Sequence, residues 1–401
     1  MRRCKDWLTT YVNFASHTEA PRLMHFFAGV WAIAGTLRRK VWIDQVAFQW
    51  FPSFYIVFVA PPGIVSKSTT AGMADRLLRQ VPGIKFGPDV VTWPALVTAF
   101  AESCEAFEFQ GEYHPMSPLN LIASEFGNLV DPTDKGMVNL LIDIWDGRKT
   151  LDKRTKMSGN DTVEGPWINL LGCTTPHWIA DNMPSVTVGG GFTSRCIFVY
   201  AEQKERFIAY PKYSFPADSA RIQADLIHDL EWISTNLCGE YVLDADALAW
   251  GETWYRTHWE SASSRFADDR LDGYMARKQT HLHKLALIVA ASQRDDLIIT
   301  RDDLILSNTM LESVETDLEK VFSRIGKSEA SLQADRFITY VKKRGECTYE
   351  DAYHMIHSHF PDFRDFEGIL SGAIRSGQIN LLQMGDRFML KYAGRDRITA
   401  K

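Results

Sequence analysis

The chain has 401 residues, of which 45% are hydrophobic and 23% are charged, and its formal net charge at pH 7 is −6. This length allows two or three domains with separate cores, and the composition is typical of a globular protein. The negative net charge excludes a basic field over the whole surface, so any contact with nucleic acid requires a local basic patch.

Cysteine usage and hydropathy predict a cytoplasmic location without a membrane span. The six cysteines are scattered and show neither a C-x-x-C pair nor a cysteine–histidine zinc spacing, which favours reduced thiols and no structural metal. No apolar run approaches the roughly 18 residues of a membrane span. The first residues also lack the apolar core of a signal peptide.

Composition along the chain predicts four segments. Residues 1–50 are expected to form a helical lead-in that ends in a short strand at 41–44. An α/β core over 51–210 follows, then a helical lid over 211–328, and a C-terminal module over 329–401.

The informative stretch of the core is Phe54 to Thr70, which reads as a buried strand, a Pro/Gly turn and a helix start. A helix start offers free backbone N–H groups and a positive dipole end to phosphate, a lysine reaches the β/γ-phosphates, and a hydroxyl holds Mg²⁺. Compared with G-x-x-x-x-G-K-[ST], Pro61 and Ser66 replace the two glycines. The alternative is a common turn before an exposed helix start. The residues assigned to nucleotide are Pro62, Gly63, Ser66, Lys67, Ser68 and Thr69, with Ser68 also on the metal.

The rest of the core alternates helices with buried strands. A helix is predicted from the Thr92 N-cap to about Phe107, and another over 137–145. Apolar runs predict strands at 119–124, 167–172 and 196–200. This alternation predicts a three-layer α/β fold with a mostly parallel sheet.

Two polar residues follow predicted strands, where open α/β sheets bind their ligands. Glu125 is predicted to orient the attacking water, although acids at strand ends are also common without a function. Ser124 precedes it where an Mg²⁺-supporting Asp is usual, which would shift that role to Ser68 with Asp143 or Asp146. Thr174 is predicted to sense the γ-phosphate, with a helix cap ahead of Pro176 as the alternative.

Two arginines are candidates for stabilising transition-state charge. Arg195 follows a glycine run and precedes a strand, so it is predicted to be an arginine finger that acts on a neighbouring subunit, or else a salt-bridged residue at a strand start. Arg277 begins a basic helix and is predicted to reach the phosphates from the lid, with a solvated helix face as the alternative.

A basic hairpin over 149–164 is the candidate nucleic-acid contact, because phosphate contacts need local positive charge. Asp152 and Asp161 dilute that charge, so a solvated hairpin is the alternative. The basic residues are Arg148, Lys149, Lys153, Arg154 and Lys156.

The C-terminal module shows a winged-helix pattern. Helices are predicted at 332–343, 348–359 and 363–376, followed by two strands over 378–392 with a turn at Gly385-Asp386. The third helix carries Asp365 and Glu367, so contacts to protein and contacts to DNA both remain open.

The order of these motifs over about residues 5–300 resembles a family of P-loop ATPases of phages, plasmids and integrated elements, described as replicative helicases or primase-helicase-like. The segments that carry it are Leu37-Arg-Arg-Lys-Val-Trp-Ile, Val59-Ala-Pro-Pro-Gly, Thr92-Trp-Pro-Ala-Leu, Ser124-Glu-Phe-Gly, Leu141-Ile-Asp-Ile-Trp-Asp-Gly, Leu170-Leu-Gly-Cys-Thr-Thr-Pro and Gly189-Gly-Gly-Phe-Thr-Ser-Arg.

This resemblance implies an AAA+/RecA-like core with ATP and Mg²⁺ as cofactors. It also implies a ring, often hexameric, that works on single-stranded or forked DNA during element replication, with a primase, polymerase or initiator as further partners. The alternative function is a nucleotide-binding switch or an initiator or adaptor scaffold without motor activity. Pro61, Ser66 and Ser124 depart from the usual residues of the family and put turnover in question.

Overall fold

The computed structural model describes residues 1–155, 159–183, 190–261, 266, 268–323, 325, 329–357, 363–384 and 387–393. The chain divides into two compact units, residues 1–325 and residues 326–401. The boundary lies close to the start of the predicted C-terminal module. The predicted boundaries at residues 50 and 210 fall inside the first unit, where one apolar cluster contains residues from the lead-in, the core and the helical region.

The helices of the first unit alternate with strands in its first half and dominate its second half. Their bounds are α1 (Trp7–Ala15), α2 (Arg22–Leu37), α3 (Lys67–Leu78), α4 (Trp93–Glu102), α5 (Lys135–Trp145), α6 (Pro176–Asn182), α7 (Pro211–Ser214), α8 (Ser219–Asn236), α9 (Ala245–Ser261), α10 (Asp272–Gln293), α11 (Arg301–Glu315) and α12 (Leu318–Phe322).

The strands of the first unit include the buried runs predicted from the sequence. Their bounds are β1 (Val41–Asp44), β2 (Gln49–Trp50), β3 (Tyr55–Val59), β4 (Glu105–Phe109), β5 (Glu112–Ala123), β6 (Thr150–Thr155), β7 (Gly159–Glu164), β8 (Pro166–Thr174), β9 (Cys196–Tyr200), β10 (Gly239–Glu240), β11 (Val242–Leu243) and β12 (Ile298–Ile299). The two-residue strands β10, β11 and β12 lie in the helical region, for which the sequence predicted no strand.

A mixed five-stranded sheet with the order β4-β5-β8-β3-β9 forms the centre of the first unit. Strands β5, β8, β3 and β9 are parallel, and β4 is antiparallel to β5 at one side. Tyr55 lies opposite both Leu170 and Cys196, so β3 begins level with β9. We call the side of the sheet where β3 ends the carboxyl edge, and the side where it begins the amino edge.

Both faces of the sheet are covered, because β3 is fully buried and its side chains alternate between two apolar clusters. Ile56 and Phe58 pack into a cluster with α2 and α3, whereas Tyr55 and Val57 pack into a cluster with α4 and α5. An uninterrupted apolar strand is expected when both sheet faces carry helices. The predicted α/β class is therefore confirmed.

A buried amide pair ties α2 to the middle of the sheet. Asn169 donates from Nδ2 to the Trp31 carbonyl at 2.8 Å and to Asn120 Oδ1 at 3.0 Å. Trp31 Nε1 returns a bond to the Asn169 carbonyl at 3.2 Å. Because buried amides must be hydrogen-bonded, these bonds fix the position of α2 against β5 and β8.

The predicted helix that was to reach Phe107 ends earlier, at Glu102. The residues after it form β4, and Gln110 and Gly111, both at positive φ, turn the chain into β5. The alternation Glu105-Ala-Phe-Glu-Phe109 before a Gln-Gly pair is a hairpin signal. The predicted basic hairpin is confirmed as β6 and β7, which pair antiparallel.

The second unit contains the elements predicted for its sequence. They are α13 (Glu329–Arg344), β13 (Glu346–Thr348), α14 (Tyr349–Ile356), α15 (Phe363–Arg375), β14 (Ile379–Met384) and β15 (Arg387–Tyr392). The strands form an antiparallel sheet in the order β13-β15-β14. Phe337, Phe366 and Leu390 lie in its core. The strand β13 was not predicted, and the predicted turn Gly385-Asp386 lies outside the described residues.

Two further expectations concern cysteines and membranes. All six cysteines are free thiols in the structure. Among the residues that the structure describes, none of the helices has the length and apolar character needed to cross a bilayer.

A buried ion pair joins α10 to α11. Lys278 Nζ lies 2.8 Å from Glu315 Oε1, and the two side chains are only 1% and 3% exposed. Tyr274 donates its hydroxyl to the same carboxylate at 3.2 Å. Such a pair contributes little net stability but is costly to break from one side.

We expect Glu315→Ala to lower the free energy of unfolding by about 3–5 kcal/mol, because it leaves the Lys278 ammonium buried without its main partner. Urea denaturation followed by circular dichroism measures this change. The matched control is the double variant Lys278→Met with Glu315→Leu, which removes both charges and should stay close to the wild type. Equal losses in both variants would contradict the ion-pair explanation.

Candidate nucleotide site

The loop over residues 60–66 joins the carboxyl end of β3 to the first residue of α3, Lys67. Ser66 stands just before the helix with φ 55° and ψ 38°, and it makes no side-chain cap. This left-handed conformation is the one that glycine adopts without cost, whereas another residue pays roughly 1–2 kcal/mol. The serine at the position of the second glycine therefore keeps a glycine-like backbone.

Within the part of the chain that the structure describes, the backbone N–H groups of residues 63–69 make no close hydrogen bond, although residues 62–64 form a turn. The first helical bond in this region is from Thr70 N to the Ser66 carbonyl, at 3.0 Å. A helix start normally leaves four N–H donors unpaired, and here the preceding loop adds further unpaired N–H donors. A row of unpaired N–H groups at the positive end of a helix dipole is a place for an anion.

Lys67 folds back over this loop. Its Nζ donates to the Ala60 carbonyl at 2.7 Å and to the Pro61 carbonyl at 3.3 Å. Burial lowers the pKa of its ammonium, while the neighbouring Cys173 and Glu125 act in the opposite direction. The lysine is therefore held by carbonyl groups of the loop and lies within electrostatic range of the Glu125 carboxylate.

The residues predicted from β5 and β8 meet the loop at the same edge. Ser124 and Glu125 follow β5 and are both exposed. Thr174 ends β8 opposite Val59, and its carbonyl accepts a bond from Ala60 N at 3.3 Å. Three neighbouring strands thus bring the loop, Glu125 and Thr174 together, as the sequence predicted for a ligand site.

The hydroxyl of Thr174 is buried and has no hydrogen-bond partner among the described residues. The alternative given for this position, a helix cap, belongs instead to Thr175, whose side chain accepts from Trp178 N at 3.1 Å. A buried hydroxyl without a partner is costly, so a group that binds at this edge would gain a ready donor.

Cys173 is a neighbour of Lys67 that the sequence did not single out. It lies in β8 opposite Phe58, and its side chain faces the cluster on the α2 side of the sheet. Burial raises the pKa of its thiol to about 12. At neutral pH it is therefore an uncharged thiol, unsuited to act as a nucleophile or a metal ligand.

Arg195 lies at the amino edge, because it directly precedes β9, whose first residue is level with Tyr55. Its side chain is 4% exposed and forms a two-point ion pair with Asp146, with Nε 3.0 Å from Asp146 Oδ1. A finger has to project from the surface, so this conformation corresponds to the alternative, a salt-bridged arginine at a strand start. Any action on a neighbouring subunit would require this pair to open.

Arg277 lies near Arg195 and Asp146 at the amino edge in this conformation, and its contact with the phosphates stays a prediction. Burial lowers the pKa of its guanidinium, the nearby Arg195 adds to this effect, and Asp146 opposes it. In the same helix, His281 Nε2 lies 3.0 Å from the Ser194 carbonyl, which holds this part of α10 at the amino edge.

The acids suggested as substitutes for a metal-holding Asp are committed elsewhere. Asp146 pairs with Arg195 and Asp143 pairs with Arg148, both at the far end of α5 from Ser68. No group of three or more His, Cys, Asp or Glu residues suited to a metal occurs within the described ranges. Ser68 is exposed at the start of α3, so Mg²⁺ there would take one protein hydroxyl and rely on phosphate and water oxygens.

The basic hairpin projects beside the amino end of β8. Arg148 pairs with Asp143 and donates from Nε to the Thr150 carbonyl at 2.9 Å, while Lys149 is exposed. The backbones of Lys153 and Arg154 belong to β6, and Lys156 lies outside the described residues. The hairpin is therefore separated from the 60–66 loop by the length of the sheet.

Replacing Thr174 by Val should separate a binding role from a structural one. Valine has the same shape and removes an unpaired buried hydroxyl, so the free energy of unfolding should stay the same or rise by about 1 kcal/mol. If the hydroxyl contacts phosphate, nucleotide affinity or turnover falls at the same time. Thermal denaturation and nucleotide titration of the same preparation measure both effects. A destabilised variant would show that the hydroxyl has a structural partner after all.

No protein-family model matches this sequence, and no curated protein matches it closely enough to be counted as a relative.

Proposed function

We propose that the protein binds a nucleoside triphosphate, with ATP as the expected one, at the carboxyl edge of its central sheet, and that it hydrolyses the nucleotide while bound to single-stranded nucleic acid. The observation that carries this proposal is the set of unpaired N–H groups over residues 63–69, with Lys67, Glu125 and Thr174 around it. The strand–loop–helix order and the place of β3 between two parallel neighbours, β8 and β9, support an AAA+/RecA-like core.

Each residue has a definite task in this proposal. The N–H groups bind the phosphate oxygens, and Lys67 leaves its carbonyl partners to contact the β- and γ-phosphates. Glu125 accepts a hydrogen bond from the attacking water, because it is exposed and follows β5 at the same edge. Thr174 donates its hydroxyl to the γ-phosphate. Ser68 would hold Mg²⁺, which supplies charge neutralisation between the β- and γ-phosphates when it is bound.

A specific observation favours a second candidate, a nucleotide-binding switch without turnover. Arg195, the residue predicted to complete a neighbour's site, is engaged with Asp146, and Ser124 replaces the acid that usually supports the metal. Loss of one charge stabiliser typically slows phosphoryl transfer by orders of magnitude without preventing binding. Binding and turnover therefore have to be measured separately.

Lys67→Ala should weaken binding of a fluorescent ATP analogue with Mg²⁺ by about 10- to 100-fold, because one charge-assisted contact contributes about 1.5–3 kcal/mol. Lys85→Ala is the matched control, since Lys85 is an exposed lysine of the same unit and lies outside the loop. Absence of nucleotide binding by the wild type, or equal binding by Lys67→Ala, would refute the proposed site.

Arg195→Ala should lower the free energy of unfolding by about 1–3 kcal/mol, because it removes a charge-assisted bond to the half-exposed Asp146. ATP binding should stay unchanged, since Arg195 lies at the other edge of the sheet. ATP turnover in the presence of single-stranded DNA, together with a mass measurement in ATP, then separates a ring-forming motor from a switch. A stable variant that fails to bind ATP would contradict this placement of Arg195.

A further inference from the structure

The segment that follows β9 carries three aromatic side chains that are almost completely exposed. Phe207 is 91% exposed, Tyr213 81% and Tyr210 74%. Several exposed aromatic residues in one short segment are typical of a binding surface, because exposing apolar rings to water is unfavourable. We call residues 204–213 the aromatic segment.

The aromatic segment is held firmly at its first end. Lys204 forms an ion pair with Glu19 at 2.5 Å, and the Glu205 carboxylate accepts from Arg22 N at 2.6 Å. Glu19 also accepts from Ile208 N at 3.1 Å. The bonds from Lys204 and from the Ile208 N–H lower the pKa of the Glu19 carboxyl, so this anchor is charged at neutral pH.

The other end of the segment is fixed by packing. Phe215 lies with its ring centroid 5.2 Å from that of Phe14 and 5.4 Å from that of His17. The segment is thus tied to the α1–α2 region at both ends, and its rings face solvent between these anchors. A surface whose side chains are already exposed needs little rearrangement to bind a partner.

The chemistry of the segment favours nucleobases over a protein face. The ring centroids of Tyr210 and Tyr213 lie 6.5 Å apart at an interplanar angle of 76°, an edge-to-face contact that leaves at least one face of each ring uncovered by the other. Lys212 lies between them in the chain, is exposed, and stands 6.0 Å from the Tyr213 centroid. Separate rings interleaved with a cation suit a single strand, whose bases stack on aromatic faces while its phosphates meet positive charge.

The position of the segment links it to the proposed nucleotide site. Ala201 N donates to the Val59 carbonyl at 3.0 Å, directly before the loop whose Ala60 carbonyl holds Lys67. The chain that leads into the aromatic segment therefore leaves the sheet beside the start of the 60–66 loop. The basic hairpin, in contrast, lies at the amino edge and has no such connection.

We propose that Phe207, Tyr210 and Tyr213 form a stacking surface for the bases of single-stranded nucleic acid. This inference rests on the nucleic-acid partner of the proposed function and is independent of ATP turnover. It assigns the contact to the carboxyl edge of the sheet in place of the basic hairpin.

The test uses the full chain without nucleotide and a fluorescein-labelled oligothymidylate longer than about 16 nucleotides, followed by fluorescence anisotropy at low salt. The triple variant Phe207→Ala, Tyr210→Ala, Tyr213→Ala should bind at least about tenfold more weakly, because each stacked base contributes at this scale. The variant Phe207→Tyr, Tyr210→Phe, Tyr213→Phe keeps the rings and should retain the wild-type affinity. Tyr113→Ala removes a ring that is 76% exposed elsewhere and should also have no effect.

The outcomes separate this inference from the proposed function. Wild-type affinity in the triple alanine variant, or no oligothymidylate binding by the wild type, overturns the stacking surface. A variant that binds oligothymidylate normally but loses self-association in light scattering would instead identify a protein contact and also overturns it. If ATP binding is absent while oligothymidylate binding follows the rings, the nucleotide site fails and the stacking surface stands.

Discussion

The rest of the first unit depends on the burial of β3 on both faces between two parallel neighbours. Its side chains alternate between the clusters on the two sides of the sheet, and β8 and β9 take its backbone bonds. A strand in this position cannot slip by one residue, because every side chain would then change faces. The 60–66 loop therefore begins at a fixed point, and the left-handed Ser66 is tolerated because the strand before it and the helix after it are both fixed.

The elements around β3 could be predicted because a strand buried on two faces reads as a largely apolar run, and β3, β8 and β9 show this pattern, interrupted in β8 by Asn169. The proximity of the 60–66 loop to Thr174 could also be predicted, because both follow or end parallel strands whose carboxyl ends lie at the same edge of the sheet. The same rule places Arg195 at the amino edge, since a residue that precedes a parallel strand lies opposite the loops that follow it. The position of Arg277 could not be predicted in this way. It depends on the position of α10, which is set by contacts between residues distant in sequence, such as His281 with Ser194.

The two edges of the sheet differ in chemistry. The amino edge carries ion pairs that neutralise its charges, Arg195 with Asp146 and Arg148 with Asp143. The carboxyl edge carries unpaired N–H groups, an unpaired hydroxyl and exposed rings. Groups that are already satisfied hold a structure together, whereas groups without partners remain available for a ligand. This contrast is the reason for proposing the carboxyl edge as the binding edge, and it does not depend on any known family.

The bonds from Lys67 to the Ala60 and Pro61 carbonyls have a consequence for selectivity. The positive charge of the Lys67 ammonium is stabilised by these two main-chain oxygens, so the ammonium needs no counter-ion. A small anion such as sulfate must displace these oxygens from the ammonium, and it forms only one charge contact with Lys67 in their place. A longer polyphosphate offers several oxygens at once, and the first of them can occupy the N–H groups before the lysine moves. Under the proposed function, the bonds of Lys67 to main-chain oxygens thus disfavour binding of simple salts and favour binding of chains of phosphate.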